Sequence, residues 1–273
     1  MTHNPQSALL VVYSDCIAGR ADDFNEWYSK VHIRDVMRIR GSHAVQRFVR
    51  DDAGQPQGVR PPGPGPFLAI YEVRDVDTCI DVHLDACTTE RMPIGDSLDA
   101  AKSEDTFYVP LDEALDPVDS TVPPGDDGVV LIAFNGKVGR EPELVDWNKA
   151  CWQSALHRVA GLGAGHLYVK HTTQLMEMGQ RRYVGIYQVN DWERARWSLA
   201  DALTQFVHDS PIDAEGCQWA RYTALIPRLT AAEVKAASAE QHAEERRARE
   251  RLGSGLLHFS LREVRKQLGM PDR

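Results

Sequence analysis

No stretch of this chain approaches the roughly 18 uninterrupted apolar residues that a membrane-spanning helix needs. Cysteine is scarce. Its five residues, Cys16, Cys79, Cys87, Cys151 and Cys217, are odd in number and scattered, with no C-x-x-C pair. That argues against a disulfide frame or a zinc site and fits reduced thiols in the cytoplasm. A basic excess is missing too. The net charge is −9, whereas a nucleic-acid partner or an anionic membrane calls for a basic face. The N-terminal MTHNPQS has no basic stretch leading into an apolar core, so no signal peptide is expected. No H-E-x-x-H, P-loop, G-x-G-x-x-G or G-x-S-x-G occurs. His83 and Cys87, four apart on a helix, could touch a metal, but two ligands do not make a site. GLGAGHLYV, from Gly161, runs from helix into strand, the wrong order for a helix N-terminus to meet an anion, and reads as a turn. Neither metal, nucleotide nor other cofactor is expected.

What is present is a pattern that occurs twice. Ala8 to Tyr13, ALLVVY, reads as a buried strand. Asp22 or Asp23 can cap the amphipathic helix that follows, and Gly41 stops it. Ala44 to Val49 is a second strand. DDAGQPQGVRPPGPGP is a proline-stiffened surface loop. Phe67 to Val73 is a third strand, Asp75 to about Ala101 mostly helical with an interruption near Met92-Pro93, and Thr106 to Leu111 a fourth strand. The order β-α-β-β-α-β is the ferredoxin-like split unit. After a Pro/Asp/Gly-rich linker the pattern restarts. Trp147 answers Trp27, Gly161 answers Gly41 and Tyr168 answers Phe48, all at a shift of 120. YVGIYQV repeats FLAIYEV, and a helix from about Trp192 and a strand from about Trp219 complete the copy. This predicts an α+β protein with a first unit over 1–114, a linker over 115–128, a second unit over 129–228 and a helical tail over 229–273. A four-stranded sheet with helices on one face leaves its other face needing cover. The two sheets are therefore expected to pack face to face, as an intrachain α/β barrel with pseudo-twofold symmetry.

The tail opens with a capping-box pattern, Thr230 and Glu233, and carries charge nearly all round, so it is exposed or lies along a neighbour. Ser260 and Glu263 form another such box. Leu256, Leu257, Phe259 and Leu261 are too few to fold alone and must dock on this chain or on a second one, which would make a homodimer.

For chemistry, Tyr28, His32 and Asp35 fall at i, i+4 and i+7, on one face of a regular helix. A histidine near its ordinary pKa exchanges protons at neutral pH, and a carboxylate beside it would fix its tautomer. The alternative is a structural histidine bonded to a backbone carbonyl, with Asp35 exposed. His43 could face the same pocket or sit at a loop edge. Tyr71 and Tyr108, on strands three and four, could polarise a substrate oxygen, although matching tyrosines, Tyr187 and Tyr222, favour packing. Arg47 is either an anion clamp or a surface charge.

The segment NEWYSKVHIRDVMRIRG, leading into GSHAVQRF, resembles the dimeric α/β-barrel superfamily. Within it, the likeness is to the branch of EthD-like proteins and methylmuconolactone isomerase. In that branch two ferredoxin-like units pack sheet to sheet, usually from two chains; here a fused tandem is suggested over about residues 8–227. The family histidine falls on His32, its preceding aromatic, a candidate binding residue, on Trp27, and its glycine on Gly41. In the second copy Trp152 replaces His32 and Ala155 replaces Asp35, which implies one polar site per chain and a Trp152 that fills the vacated pocket. The superfamily holds isomerases, cyclases, cofactor-free oxygenases and haem-degrading enzymes, so fold alone leaves function open. The expectation is a cofactor-independent isomerase, lyase or cyclase that moves a proton on a small apolar or cyclic oxygenated molecule. A cofactor-free monooxygenase and a non-catalytic binding protein are the alternatives.

Overall fold

The computed structural model describes residues 6–87, 89, 91–118, 128–174, 181–213 and 215–252. The first unit runs β1 (Ala8–Ser14), α1 (Ala21–Trp27), a π-helical turn (Tyr28–His32) continuing into α2 (Ile33–Met37), β2 (Ser42–Arg50), β3 (Phe67–Val73), α3 (Val76–Cys87) and β4 (Glu104–Pro110). The second runs β5 (Val129–Phe134), α4 (Leu144–Trp147), a π-helical turn (Asn148–Trp152), α5 (Gln153–Leu156), β6 (Leu162–Lys170), β7 (Tyr183–Val189), α6 (Trp192–Asp209) and β8 (Gln218–Ala224). Each is a β-α-β-β-α-β unit. The expected second helix of the first unit is shorter than its sequence suggested and ends at Cys87. α1 begins at Ala21, so Asp22 and Asp23 fill its first turn rather than cap it; carboxylates there complement the helix dipole.

The strands close into an eight-stranded antiparallel barrel, β3-β1-β4-β6-β7-β5-β8-β2 and back to β3. Along β1, Leu9, Val11 and Tyr13 point into the barrel, while Ala8 and Leu10 point out towards the helices. Burial on both faces explains why the strand reads as a continuous apolar run rather than an alternating one. The barrel interior is filled from both units, with Leu9, Val11, Phe48 and Tyr108 meeting Leu131, Tyr168, Ile186 and Tyr222. The sheets thus cover each other as expected, and their edges are joined as well. Pro110 pairs with Tyr168 on one seam, and Ala224 pairs with Phe48 on the other. Exchanging the two units maps one seam onto the other, so both free edges are removed by the same pseudo-twofold.

The glycine stops match too. Gly41 and Gly161 have φ of +97° and +93°, where a side chain is strained. Each carbonyl receives the N–H that opens the next helix segment, from Arg74 and Asn190, both at 2.8 Å.

β9 (Leu229–Thr230) pairs antiparallel with the start of β2, and the Thr230–Glu233 capping box opens α7 (Ala231–Lys235). α8 (Ala239–Leu252) lies along the first unit's own α1 and π turn. Arg38 grips Glu245 at 2.6 and 2.7 Å, Lys30 meets Glu244 at 2.6 Å, and Arg251 pairs with Glu26. A helix charged all round is thereby held by ion pairs to a helix equally charged on its outer face. Leu256 to Leu261 and the Ser260–Glu263 pattern lie outside the described residues, as do residues 119–127 of the linker. Among the described residues no helix is long and apolar enough to cross a membrane.

Candidate functional site

The site lies between the outer face of the first unit's sheet and its helices. The π turn sets its geometry. Ile33 N–H bonds to Tyr28 O, five residues back. An extra residue in the turn rotates everything after it by roughly 100° relative to a regular helix. Tyr28 and His32 still touch, with ring centroids 4.8 Å apart, and Trp27 lies 4.9 Å from His32 on another side. Asp35 is carried out of the group. Its carboxylate accepts from Arg249 of α8 at 2.5 Å and from Arg38 at 3.2 Å. The expectation that Tyr28, His32 and Asp35 act together from one face is corrected by this turn. Asp35 ties down the tail instead, and burial raises its pKa against the pull of Arg249 and Arg38.

Across from the helix, Tyr71 of β3 donates to Tyr28 through a 3.1 Å hydroxyl pair. Two hydroxyls sharing one bond leave one proton over for another acceptor. Arg47 of β2 is 1% exposed. Its guanidinium lies 4.2 Å from the Tyr28 ring centroid and donates to Ser29 Oγ at 2.6 Å, Asn25 Oδ1 at 3.0 Å and Asn25 O at 3.3 Å. No carboxylate pairs with it among the described residues. Burial pulls its pKa down to about 10, so it remains a cation at neutral pH.

Two groups complete the set: His83, read from the sequence only as a metal contact beside Cys87, and Asp105, absent from the sequence candidates. His83 of α3 faces inward, and Asp105 of β4 lies on the same sheet face as Phe107, opposite Val12. Burial pushes Asp105 up to about 6 and His83 down to about 4. His32 falls to about 3, first through burial and then through His83 and Arg47. The ordinary histidine pKa assumed from the sequence is thus corrected: the imidazole is neutral, and the group that titrates nearest neutrality is Asp105. Trp27 Nε1, His32 Nδ1, His83 Nδ1 and Asp105 Oδ1 are all buried without a hydrogen-bond partner.

These shifts make a prediction about acid stability. Both histidines bind protons more weakly folded than unfolded, so their contribution is complete above about pH 6.5 and is lost as pH falls towards 4 and then 3. Each should cost about 2 kcal/mol of stability at pH 5. Asp105 has the opposite sign, because its raised pKa favours the folded state as pH falls from about 6 to about 4. Urea midpoints should therefore drop between pH 7 and 5, and His83→Leu should flatten that drop. An unchanged slope would remove His83 from the buried, neutral state described here.

The remaining sequence candidates lie elsewhere. Tyr108 points into the barrel and donates to Arg181 O at 3.0 Å, on the opposite side of the sheet from His32. His43 sits at a barrel end, 3.9 Å from Glu72 and 3.4 Å from Arg74 Nε. Glu72 is itself clamped by Arg228 at 2.6 and 2.5 Å. Trp27, Tyr28, His32, Arg47 and Tyr71 are brought together; Asp35, His43 and Tyr108 are not.

In the second unit the same layer is packed differently, and Asn148 Oδ1 is buried there without a hydrogen-bond partner. The π turn is repeated, with Gln153 N–H bonding to Asn148 O. Trp152, fully buried, takes the place of His32 and donates to Tyr187 OH at 2.5 Å. Tyr187 is the counterpart of Tyr71, Asn148 of Tyr28, and Leu167 of Arg47.

The closed barrel of two fused ferredoxin-like units is the fold of the dimeric α/β-barrel proteins, with both halves in one chain. Among solved structures, an anthrone oxidase-like protein superposes with a TM-score of 0.55 at 12% identity, over 87% of this chain and 97% of that one. A candidate monooxygenase from Fusobacterium nucleatum aligns at 0.47 and 10% identity, over 84% and 96%. A chlorite dismutase variant from Candidatus Nitrospira defluvii aligns at 0.49 and 12%, over 89% and 97%. At such identities the likeness is one of fold. No protein-family model matches the chain, and no curated relative does.

Proposed function

We propose that the first unit binds a small, largely apolar, oxygen-bearing molecule between its helices and sheet and moves a proton on it, as an isomerase, lyase or cyclase does. The observation that carries this is the set of buried polar atoms without partners. Such atoms cost free energy unless something satisfies them, and Trp27, His32, His83 and Asp105 share one layer of one unit. The likeness of the α1 motif to EthD-like proteins and methylmuconolactone isomerase supports the same reading.

The residues divide the work by their charge states. Asp105, titrating near 6, is matched to taking a proton from a carbon acid at neutral pH. The leftover proton of the Tyr28–Tyr71 pair and the Arg47 cation suit an oxygen that gains negative charge. Asp105, once protonated, returns the proton to a second carbon and is restored as a carboxylate, while His32 stays neutral and donates a hydrogen bond to the developing oxyanion. None of these roles calls on a metal or nucleotide.

The test is solvent exchange. Small cyclic ketones and lactones are incubated with the protein in D2O and followed by NMR. Deuterium should enter α to the carbonyl at a rate that rises with pH through about 6, and Asp105→Asn and His32→Ala should each slow it by about 10²-fold or more. Exchange no faster than without protein, or untouched by both substitutions, removes the proposal. Oxygen uptake with a quinol in place of exchange would identify a cofactor-free monooxygenase. Binding without either would identify a non-catalytic binding protein.

A further inference from the structure

Strand register places Arg47 and Asp105 at the two ends of one row across the sheet. Arg47 pairs with Ala69, Ala69 with Val12, and Val12 with Asp105. All four face the helices. At about 4.8 Å per strand interval, the ends of the row are about 14 Å apart at their Cα atoms. Between the two ends lie Ala69 and Val12, on the same face. In the second unit the same row reads Leu167, Gly185, Ile132 and Trp219. Only the two ends change in character: a cation becomes Leu167 and a carboxyl becomes Trp219.

Charge then specifies the ligand. A guanidinium buried without a counter-charge beside it is costly, and an oxyanion bound there would offset that cost. Three of its five N–H groups are bonded to Asn25 and Ser29. The Nε–H and one Nη2–H are left without an acceptor among the described residues, and a carboxylate takes two such parallel donors. The histidines on the helix side are neutral and the Asp105 carboxyl stands at the far end of the row, so no negative charge lies beside Arg47 among the described residues, and its two unused parallel donors select the ligand.

Resting on the reading of this layer as a ligand site, we infer that its ligand is a ring-sized monoanion, with a carboxylate or comparable oxyanion on Arg47 and its proton-bearing end towards Asp105. The barrel's second unit, with Leu167 and Trp219 in the row, takes no such ligand.

Isothermal titration of the full chain with benzoate and cyclohexanecarboxylate, and with their neutral amides, separates charge from shape. The carboxylates should bind at least 10-fold tighter than the amides. Arg47→Leu, which copies Leu167, should erase that preference with thermal stability kept or raised, and Arg47→Lys should keep part of it. Amides that bind as tightly as the carboxylates overturn the monoanion while leaving the site intact. A preference that survives Arg47→Leu overturns the role of Arg47. Failure of all four probes to bind at millimolar concentration overturns this inference and the site together.

Discussion

His32→Trp should abolish proton exchange and ligand capture while the chain still folds. The second unit is the template. There Trp152 occupies this position, fully buried, and its indole N–H reaches the tyrosine of the third strand, Tyr187, at 2.5 Å. In the first unit the equivalent tyrosine is Tyr71, so an indole at position 32 has a partner waiting. One difference matters. Tyr28 stands where the second unit has the smaller Asn148, so the single substitution overpacks the layer and should cost about 1–3 kcal/mol. The double variant His32→Trp with Tyr28→Asn reproduces the second unit's set and should recover most of that loss. Deuterium incorporation should be at the protein-free level in both. Denaturant titration distinguishes a closed site from an unfolded chain. A folded His32→Trp protein that still exchanged protons would place the chemistry somewhere else.

Trp152→Ala should do the reverse. Removing a fully buried indole from a packed layer costs about 3–5 kcal/mol, and the Tyr187 hydroxyl loses its donor in the same step. Against a typical domain stability of about 5–15 kcal/mol, that is a large fraction. The barrel is closed at two seams between units, so weakening the second unit should lower the whole unfolding transition rather than produce a separate early one. Below that transition, proton exchange in the first unit should run at close to the wild-type rate. A Trp152→Ala protein with unchanged stability would mean that this tryptophan is not the plug its position suggests; lost exchange in a folded protein would mean that the second unit takes part in the chemistry.

Much of the architecture was readable because strands and glycine stops impose spacing. The repeats of Trp27 at Trp147 and of Gly41 at Gly161 located both units, and the loss of His32 to Trp152 marked the first unit as the one that keeps the polar cluster. The site was only partly readable, for three physical reasons. First, helical spacing assumes a regular helix, and the π turn at Tyr28–His32 turns Asp35 away; nothing in the composition of YSKVH announces that turn. Second, strand alternation was started one pair too late. Reading β4 from Glu104 rather than Thr106 puts Asp105 in step with Phe107 and Val109, an acid on the apolar-facing side, which is the signal that was available. Third, faces cannot be told apart while both are apolar. Tyr71 and Tyr108 look alike in sequence, yet one faces the helices and the other fills the barrel. His83 was legible only in hindsight of its helix face, three residues after the buried Ile80 and four after the buried Cys79.

The tail illustrates the same point from the other side. Its charge all round left open an exposed helix or one lying along a neighbour, and charge is what docks it: α8 matches the Lys30, Arg38 and Asp35 surface of the first unit by ion pairs.

The most direct measurement is a crystal structure of the protein soaked with a cyclic carboxylate. The asymmetry described here predicts ligand density against Tyr28, His32 and Arg47, between helices and sheet of the first unit, and none in the matching layer beside Trp152. Density in that second layer or inside the barrel, with the first unit empty, would contradict it.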